Sequence, residues 1–566
     1  MITVSIIVLA GLLLAVIVVG LVIRPRRVST LDFYLAGQRV GVVTNACAIC
    51  GDYFSAASFL GVAAAVYVSG LDGVWYATGF AAGFVPVVLF VAAPLRRFGE
   101  FSIPDFLARR LESERVRLTA VVVVQLIILS YLVPQAVGSG ITWELLVGEG
   151  IAGLSPYATG VLLSTALITA LLTLGGMRGT TWTQAVQFLL LLAAFVWLTI
   201  AVLSAGFNYP EAVADLSAEP LTNPTYEEGQ WQQTSEANRL DGDRSMIFGE
   251  PGGRYGHLGQ FALIVTLVMG TAGLPHIMNR YFTSPTGTAA RMTTVWVVGL
   301  AGVFYALAVL LGTAARTMIE QAAEDEPWLD ELTTGGVLHV PEHALLALGR
   351  LNGGPAGLGV IATGALIAVL STIAGLLLAA AASWGHDVYE RHINPRSTQR
   401  QAVWAGRSAV LVVAAFSAVV ALVVPPDSMT ELFPSIIATM VTWAFALAGS
   451  SLTPVFILTI WWRGTTAPGA VAGMVCGALA AIALFATGTL TGGHGLSEMM
   501  LTPTILAAPL ATIVTVVVSK HTRTPKNLDR LWLRLHGTAA DRQAERLANL
   551  TISGVDGSTD QPPERP

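Results

Sequence analysis

The feature that most constrains this chain is a series of thirteen long apolar stretches that are nearly free of charged residues. A helix needs about 20 predominantly apolar residues to cross the hydrocarbon core of a bilayer. Only 12% of the residues are charged, against about a quarter in a soluble protein, so a bilayer must act as the solvent for most of the chain. We therefore expect an all-α membrane protein with thirteen transmembrane helices. The stretches cover residues 1–23, 41–69, 73–94, 118–146, 155–177, 180–207, 257–279, 292–315, 357–385, 408–424, 432–462, 467–490 and 499–519.

The basic residues in the loops predict the orientation of the chain. If the loops alternate sides, 26 of the 31 lysines and arginines fall on one side, which the positive-inside rule makes the cytoplasm. The first stretch lacks a basic segment before it and is followed by three arginines, so it predicts a retained span rather than a signal peptide. We expect a multi-pass protein of the cell membrane with its N-terminus outside and its C-terminus in the cytoplasm. The opposite side holds Arg239, Arg244, Arg254, Arg316 and Arg350.

Several classes of function are disfavoured by the composition and the motifs. The net charge is −5 and there is no long basic stripe, so nucleic acid is not an expected partner. Cys47 and Cys50 form a C-x-x-C without a second pair to complete a zinc site. No paired nucleophile and base and no phosphate-binding glycine loop stand out, so we expect neither an enzyme nor an organic cofactor, and no protein partner is indicated. The tail, residues 520–566, is too short for a kinase domain, and its polar end is typical of disorder.

Two of the stretches contain residues that interrupt helices. The second contains GDYFSAASFLG, which begins at Gly51 and places Asp52 near the middle of the membrane. The seventh contains GTAGLPH, in which Pro275 lacks an N–H and crowds the carbonyl of Thr271. Broken helices five spans apart are typical of secondary transporters built from two repeats, here spans two to six and seven to eleven. The alternative is that the glycines and serines allow close packing and the proline only produces a kink.

The ninth stretch supplies a third polar element, AVLST, beginning at Ala368. Its i, i+3 and i+4 positions share one helical face, so the carbonyl of Ala368 and the hydroxyls of Ser371 and Thr372 converge. Oxygen ligands without a full carboxylate suit a monovalent cation better than a divalent one. The alternative is that these hydroxyls bond back to their own helix.

Together, these three segments resemble the sodium/solute symporter family, most closely its cation/acetate symporter branch. The motifs GDYFSAASFLG, GTAGLPHIMNRYFT and IAGLLLAAAASWGHDVY carry the resemblance, which extends over roughly the first 520 residues. It implies the 5+5 inverted-repeat core of the leucine transporter, with one extra span before it and two after. The implied organisation is a first span (1–23), repeat one (41–207), an extracellular loop (208–256), repeat two (257–462), two further spans (463–519) and the cytoplasmic tail (520–566).

The resemblance also implies site residues. It predicts a sodium site made by the main-chain carbonyls of Gly51, Phe54 and Ala368 with the hydroxyls of Ser371 and Thr372. No arginine or lysine lies in the spans concerned, so we expect hydroxyls, N–H groups and helix dipoles to hold a substrate carboxylate. This favours a small monocarboxylate such as acetate, propionate or pyruvate. The implied substrate-binding residues are Ser55, Ser58, Gln135, Thr271 and Gly273.

The roles of two ionisable residues remain open. Asp52 is either a carboxylate that attracts the cation or carries a proton, or a cap for N–H groups freed at the break. His276 could carry a proton, but its place near Arg280 and the predicted cytoplasmic end favours a structural or gating role. The coupling ion is accordingly sodium or a proton.

The expected function is the cation-coupled import of a small monocarboxylate. The alternatives are a sodium-coupled symporter of another small solute, such as an amino acid, and a membrane sensor or channel of the same fold. Gln184 stands where some relatives of this family carry aspartate. An amide provides no charge for a second cation, so we expect one cation per substrate and no second sodium site at Gln184.

The charge asymmetry makes a prediction about the topology. In a variant without the three native cysteines, a cysteine at Asp325 should react with an impermeant maleimide on intact cells. A cysteine at Arg396 should react only after permeabilisation, because the basic loops are cytoplasmic. The reverse labelling pattern would show that the orientation is wrong.

Overall fold

The computed structural model of the chain describes residues 30–99, 101–220, 222–227, 230–235, 246–249, 252, 256–423, 435–491 and 498–537, with isolated residues before Thr30. Apart from those isolated residues, the predicted first span, residues 1–23, lies outside the described part, as does the end of the tail, residues 538–566. The described part is helical almost throughout. Two short antiparallel pairs of strands are present. Strands β1 Thr222–Glu227 and β2 Gln230–Ser235 lie between the sixth and seventh predicted spans, and strands β3 Thr333–Thr334 and β4 Val337–Leu338 lie between the eighth and ninth.

The helices before the first strand pair coincide with the predicted spans two to six and their connections. They are α1 Thr30–Leu35, α2 Val42–Tyr53, α3 Val62–Ser69, α4 Val74–Ala82, α5 Phe84–Pro86, α6 Ala92–Phe98, α7 Ile103–Arg110, α8 Glu114–Val147, α9 Pro156–Ser204 and α10 Tyr209–Leu216. Single wide turns of π-helix, Ala57–Gly61 and Val87–Val91, precede α3 and α6. Gly176 has a positive φ inside α9, which breaks this long helix between the predicted spans five and six.

The helices after the strand pair coincide with the remaining predicted spans. They are α11 His257–Gly273, α12 Pro275–Phe282, α13 Gly287–Ala322, α14 Ala344–Ala382, α15 Gln399–Val423, α16 Ile436–Leu447, α17 Thr453–Trp461, α18 Ala467–Leu490, α19 Glu498–Leu501, α20 Thr504–Lys520 and α21 Leu528–His536. Helix α14 continues in wide turns, Ser383–Ile393, and the segment Ala448–Leu452 joins α16 to α17. The start of the tail is ordered, since α21 buries Leu531 and Leu535.

Length and composition support several membrane crossings. Among the described residues, nine helical segments are long and apolar enough to cross a bilayer, or ten if α11 and α12 count as one bent span. Helix α20, with 17 residues, is apolar but shorter. The protein is therefore a multi-pass membrane protein, and the number thirteen stays a prediction.

One of the nine segments contains a reversal of the chain. Residues 57–98 form 42 consecutive helical residues, about 63 Å if straight, roughly twice the thickness of the hydrocarbon core. Gly70 has φ +54° in the turn Gly70–Gly73, a conformation that side-chain-bearing residues rarely adopt. The chain turns back there, and the Tyr53 hydroxyl of α2 donates to the Phe80 carbonyl of α4 at 3.1 Å. Predicted spans two and three thus lie side by side.

Both predicted helix breaks are present. Helix α2 ends at Tyr53, Phe54 leaves the helical conformation with ψ 75°, and helical structure resumes at Ala57. Helices α11 and α12 meet at Leu274, which is extended, and their axes differ by 42°. The Thr271 carbonyl at this break accepts from the Leu274 N–H at 3.4 Å.

Helix α14 lies at the centre of the bundle. Its most apolar 18-residue window is completely buried, whereas most other spanning segments leave about half of theirs exposed. It packs against α2, α8, α9, α13 and α15. Polar side chains on α14 therefore face protein rather than lipid.

Candidate ion and substrate site

The hydroxyls of the ninth predicted span meet the end of α2. Ser371 Oγ donates to the Gly51 carbonyl at 2.5 Å and also to the Ala368 carbonyl of its own helix at 3.0 Å. Thr372 Oγ1 donates to the Asp52 carbonyl at 2.8 Å. The structure thus brings five oxygens together between α2 and α14, and we call this group the α2–α14 oxygen cluster.

The fit to the predicted sodium ligands is close but incomplete. Four of the five predicted residues contribute to the oxygen cluster. At the fifth position, the carbonyl that meets Thr372 belongs to Asp52 and not to Phe54. The Phe54 ring stacks on Phe304 of α13 with centroids 4.1 Å apart, which anchors the chain where α2 ends. The alternative prediction, that these hydroxyls bond back to their own helix, holds only in part. Ser371 bonds both to its own helix and across to α2, and Thr372 bonds across to α2.

The side chain of Asp52 forms a buried ion pair that the sequence does not predict. Arg280 Nε lies 3.3 Å from Asp52 Oδ2, and both side chains are buried. The expectation that no basic residue lies in these spans is therefore wrong. It failed because helix α12 continues to Phe282 and all of its residues are buried, whereas the predicted span ended at Asn279. A signal did exist, because a buried carboxylate requires a compensating charge and Arg280 follows His276 by one helical turn.

The Arg280 guanidinium has two further oxygen contacts. Its Nη1 donates to Thr181 Oγ1 at 2.7 Å and contacts the Met177 sulfur at 3.2 Å, and its Nη2 donates to Gln184 Oε1. The other end of the same amide, Gln184 Nε2, donates to the main-chain carbonyl of Ser371 at 2.6 Å. Gln184 therefore connects the buried arginine to the α2–α14 oxygen cluster.

Three of the predicted substrate-binding residues lie beside the break in α2. Gln135 Oε1 accepts from the Ala56 N–H at 3.0 Å, so the amide caps the point where helical structure resumes. Ser55 Oγ accepts from the Tyr131 hydroxyl at 3.4 Å. Ser58 Oγ lies 2.8 Å from the Tyr305 hydroxyl. All three predicted residues are buried.

The other two predicted substrate-binding residues belong to α11. The Thr271 hydroxyl lies 2.8 Å from the Tyr53 hydroxyl, close to the break in α2. Gly273 faces another way: a Cβ there would lie 2.5 Å from Thr453 Oγ1 and close to the Ala448 carbonyl. The structure therefore groups Thr271 with the residues around the α2 break and leaves Gly273 packed against α17.

His276 lies in the protein interior. Its side chain is about 1% exposed, and its ring meets Tyr131 edge-on with centroids 5.4 Å apart. Neither ring nitrogen has a hydrogen-bond partner among the described residues. The same holds for Gln135 Nε2. Pro275 and the bend at Leu274 direct α12 into the interior, which brings His276 beside the polar groups of α8.

Comparison with known proteins identifies the family. The model of the sodium:solute symporter family matches residues 33–477, which is most of the chain. The chain belongs to the sodium:solute symporter family. It is therefore a transporter rather than an enzyme.

The most similar symporters include proteins of known and unknown substrate. The chain is 31% identical over 480 residues to the uncharacterised symporter YwcA of Bacillus subtilis, covering 84% of this chain and 85% of that protein. It is 29% identical over 560 residues to the monocarboxylic acid transporter of Corynebacterium glutamicum, covering 94% and 91%.

Two solved structures share the fold of this symporter. One is a Na⁺-coupled sialic acid symporter in a substrate-bound outward-open state, with a TM-score of 0.66, 17% identity and coverage of 92% of this chain and 99% of that one. The other is Mhp1, a nucleobase-cation-symport-1 family transporter in a closed conformation, with a TM-score of 0.51, 15% identity and coverage of 90% and 99%.

The packing of Asp52 makes a prediction about Gly375. A Cβ at this position of α14 would collide with the Asp52 carboxylate. We expect Gly375→Ala to cost about 1–3 kcal/mol, the usual cost of overpacking, and to lower the thermal unfolding temperature of the purified protein. Gly299→Ala is the control, since a Cβ there meets nothing within 4 Å. Equal unfolding temperatures for the two variants would contradict the tight packing of the carboxylate.

Proposed function

We propose that this symporter imports a small monocarboxylate together with a monovalent cation, with sodium as the first candidate. The observation that carries the proposal is the α2–α14 oxygen cluster, in which carbonyls of a broken helix face two hydroxyls of the most buried helix. Carbonyl and hydroxyl oxygens are ligands that a hard cation prefers. Among the described residues, the one carboxylate in contact with this region is that of Asp52, and its pairing with Arg280 suits an ion of single charge.

The groups around the break in α2 support a carboxylate as the substrate. Gln135 Oε1 accepts from the Ala56 N–H, and Gln135 Nε2, which has no partner among the described residues, is available as a donor. Tyr131 and Ser55 carry hydroxyls within the same group, and His276 lies against the Tyr131 ring. Several neutral donors on two helices fit the two oxygens of one small carboxylate. The similarity to a monocarboxylic acid transporter agrees with this chemistry.

The main alternative is a zwitterionic solute such as an amino acid, which also needs a partner for its ammonium group. Asp52 is unsuited to that task because Arg280 already neutralises it. This favours acetate, propionate or pyruvate over an amino acid. A sensor or a channel of the same fold is a more distant alternative, since the breaks in α2 and between α11 and α12 serve ion binding better than open conduction.

The proposed function implies a membrane topology and a repeat arrangement. We place thirteen spans in the cell membrane, with the N-terminus outside, a 5+5 inverted-repeat core, one span before it and two after. The two breaks lie within the second and seventh predicted spans, which are the first spans of the two proposed repeats, as expected of paired repeats.

The decisive experiment is the uptake of labelled acetate into proteoliposomes containing the purified protein. An inward sodium gradient and an inward proton gradient are imposed separately, with ionophore-treated vesicles as the control. We expect accumulation driven by the sodium gradient and competition by propionate and pyruvate. Uptake of labelled proline without uptake of any monocarboxylate would show that the substrate is an amino acid and that the proposed substrate is wrong.

The proposed ion ligands can be tested by deleting their hydroxyls. Ser371→Ala and Thr372→Ala each remove one oxygen with little change in packing, so the sodium concentration for half-maximal uptake should rise roughly tenfold, in line with about 1–1.5 kcal/mol per polar contact. Ser417→Ala on α15 is the matched control, because that buried hydroxyl donates to the Ala414 carbonyl of its own helix and has no other hydrogen bond within the described part of the chain. An unchanged sodium requirement in the double variant would contradict the site.

A further inference from the structure

The Arg280 guanidinium lies in a set of oxygens that would otherwise suit a free cation. Asp52 Oδ2, Thr181 Oγ1 and Gln184 Oε1 each accept a hydrogen bond from it, and we call these three atoms the Arg280 cage. They come from α2 and α9, and the arginine enters from α12. One carboxylate, one hydroxyl and one amide oxygen are the ligand types that bind hard cations in proteins.

Among the described residues, Arg280 is the cation that neutralises the Asp52 carboxylate of the cage. Arg280 is about 1% exposed and Asp52 is fully buried, so neither charge is neutralised by bulk water. A second, mobile cation beside this pair would face a guanidinium and find Asp52 Oδ2, Thr181 Oγ1 and Gln184 Oε1 already engaged. Asp52 Oδ1 has no hydrogen-bond partner among the described residues and lies against Gly375 of α14. One positive charge therefore balances Asp52 and occupies the three oxygens of the cage. Arg280 provides that charge.

The amide of Gln184 joins the cage to the α2–α14 oxygen cluster. Its oxygen accepts from Arg280 while its nitrogen donates to the Ser371 carbonyl at 2.6 Å. A carboxylate at this position could accept from Arg280 but could not donate to Ser371. An amide thus serves both neighbours, which agrees with the expectation of a single coupling cation.

We propose that Arg280 is a tethered cation: it permanently fills a second cation position next to the α2–α14 oxygen cluster, so that only one mobile cation accompanies each substrate. The proposal rests on the function proposed above, because it assigns the number of ions moved. The proposal also makes a claim about binding that does not depend on that function. Once the guanidinium is removed, the oxygens of Asp52, Thr181 and Gln184 should bind a free monovalent cation.

The test measures the equilibrium binding of ²²Na⁺ to the purified protein, in equivalents per chain, for four forms. Arg280→Gln vacates the cage, so it should bind one equivalent more than the wild type. Arg280→Lys keeps a tethered charge and should bind the same number as the wild type. Arg110→Gln is the control for loss of a buried guanidinium, because Arg110 is fully buried on α7 and its nitrogens have no hydrogen-bond partner among the described residues.

A charge-neutral double variant covers the case in which Arg280→Gln does not fold. Asp52→Asn with Arg280→Gln removes both charges together, which is less disruptive than leaving one unpaired. If Asp52 serves only the arginine, this double variant keeps the wild-type number of equivalents, whereas loss of one equivalent would overturn the proposal. A folded Arg280→Gln without an additional equivalent would overturn it as well.

The outcome separates this proposal from the proposed function. The deciding quantity is the difference between Arg280→Gln and the wild type, not the wild-type value. A wild type that binds no ²²Na⁺ would count against sodium as the coupling ion, yet a gain of one equivalent in Arg280→Gln would still support the tethered cation. Acetate uptake driven by sodium without that gain would support the function and reject the tethered cation.

Discussion

The arrangement of the polar interior depends on one buried ion pair, Asp52 with Arg280. A carboxylate at the end of a broken helix in the core is strongly unfavourable unless a charge compensates it, and removing one partner of such a pair costs roughly 3–5 kcal/mol. The compensating charge lies 228 positions later in the chain and reaches Asp52 only because α12 bends at Leu274 into the bundle. The two helix breaks are therefore coupled: the break in α2 creates the need for a cation, and the bend before α12 supplies it.

Around this pair, small residues and hydroxyls replace ordinary apolar packing. Gly375 leaves the space that the Asp52 carboxylate occupies, and Ser371 and Thr372, on the same face of α14, contact carbonyls of α2. One face of the most buried helix thus supports the end of α2 by hydrogen bonds. Ordinary apolar side chains could have filled this volume but could not have satisfied the freed carbonyls.

The features that the sequence predicts well are those that depend on neighbouring residues. Long apolar stretches, the break near Asp52 and the bend at Pro275 follow from local hydropathy and from the missing N–H of proline, and the structure has all of them in its described part. The common face of Ala368, Ser371 and Thr372 also follows from helical periodicity. Periodicity thus predicts three residues of the oxygen cluster, and the family resemblance implies a fourth, Gly51.

The features that the sequence does not reveal depend on contacts between distant helices. A predicted span ends at the first charged residue, so Arg280 falls outside the predicted seventh span. Its charge is nevertheless the one that the Asp52 carboxylate requires. The role of Gln135 as a cap for Ala56 could not be inferred either, because hydropathy says nothing about which side chain of α8 meets the end of a break in α2.

The hydrogen bonds in the oxygen cluster suggest how a cation and the helix contact can be coupled. In the structure, the Ser371 and Thr372 hydroxyls donate hydrogen bonds to the carbonyls of Gly51 and Asp52. A hydroxyl has one donor and two acceptor positions, so a rotation about its bond from Cβ to the oxygen moves the proton away, turns a lone pair toward an ion and releases the carbonyl to the same ion. In the proposed site, cation binding would thus exchange two direct contacts between α2 and α14 for contacts through the ion. Because a ligand shifts an equilibrium only by its differential affinity for the two states, this exchange is where binding can favour one arrangement of α2 over another.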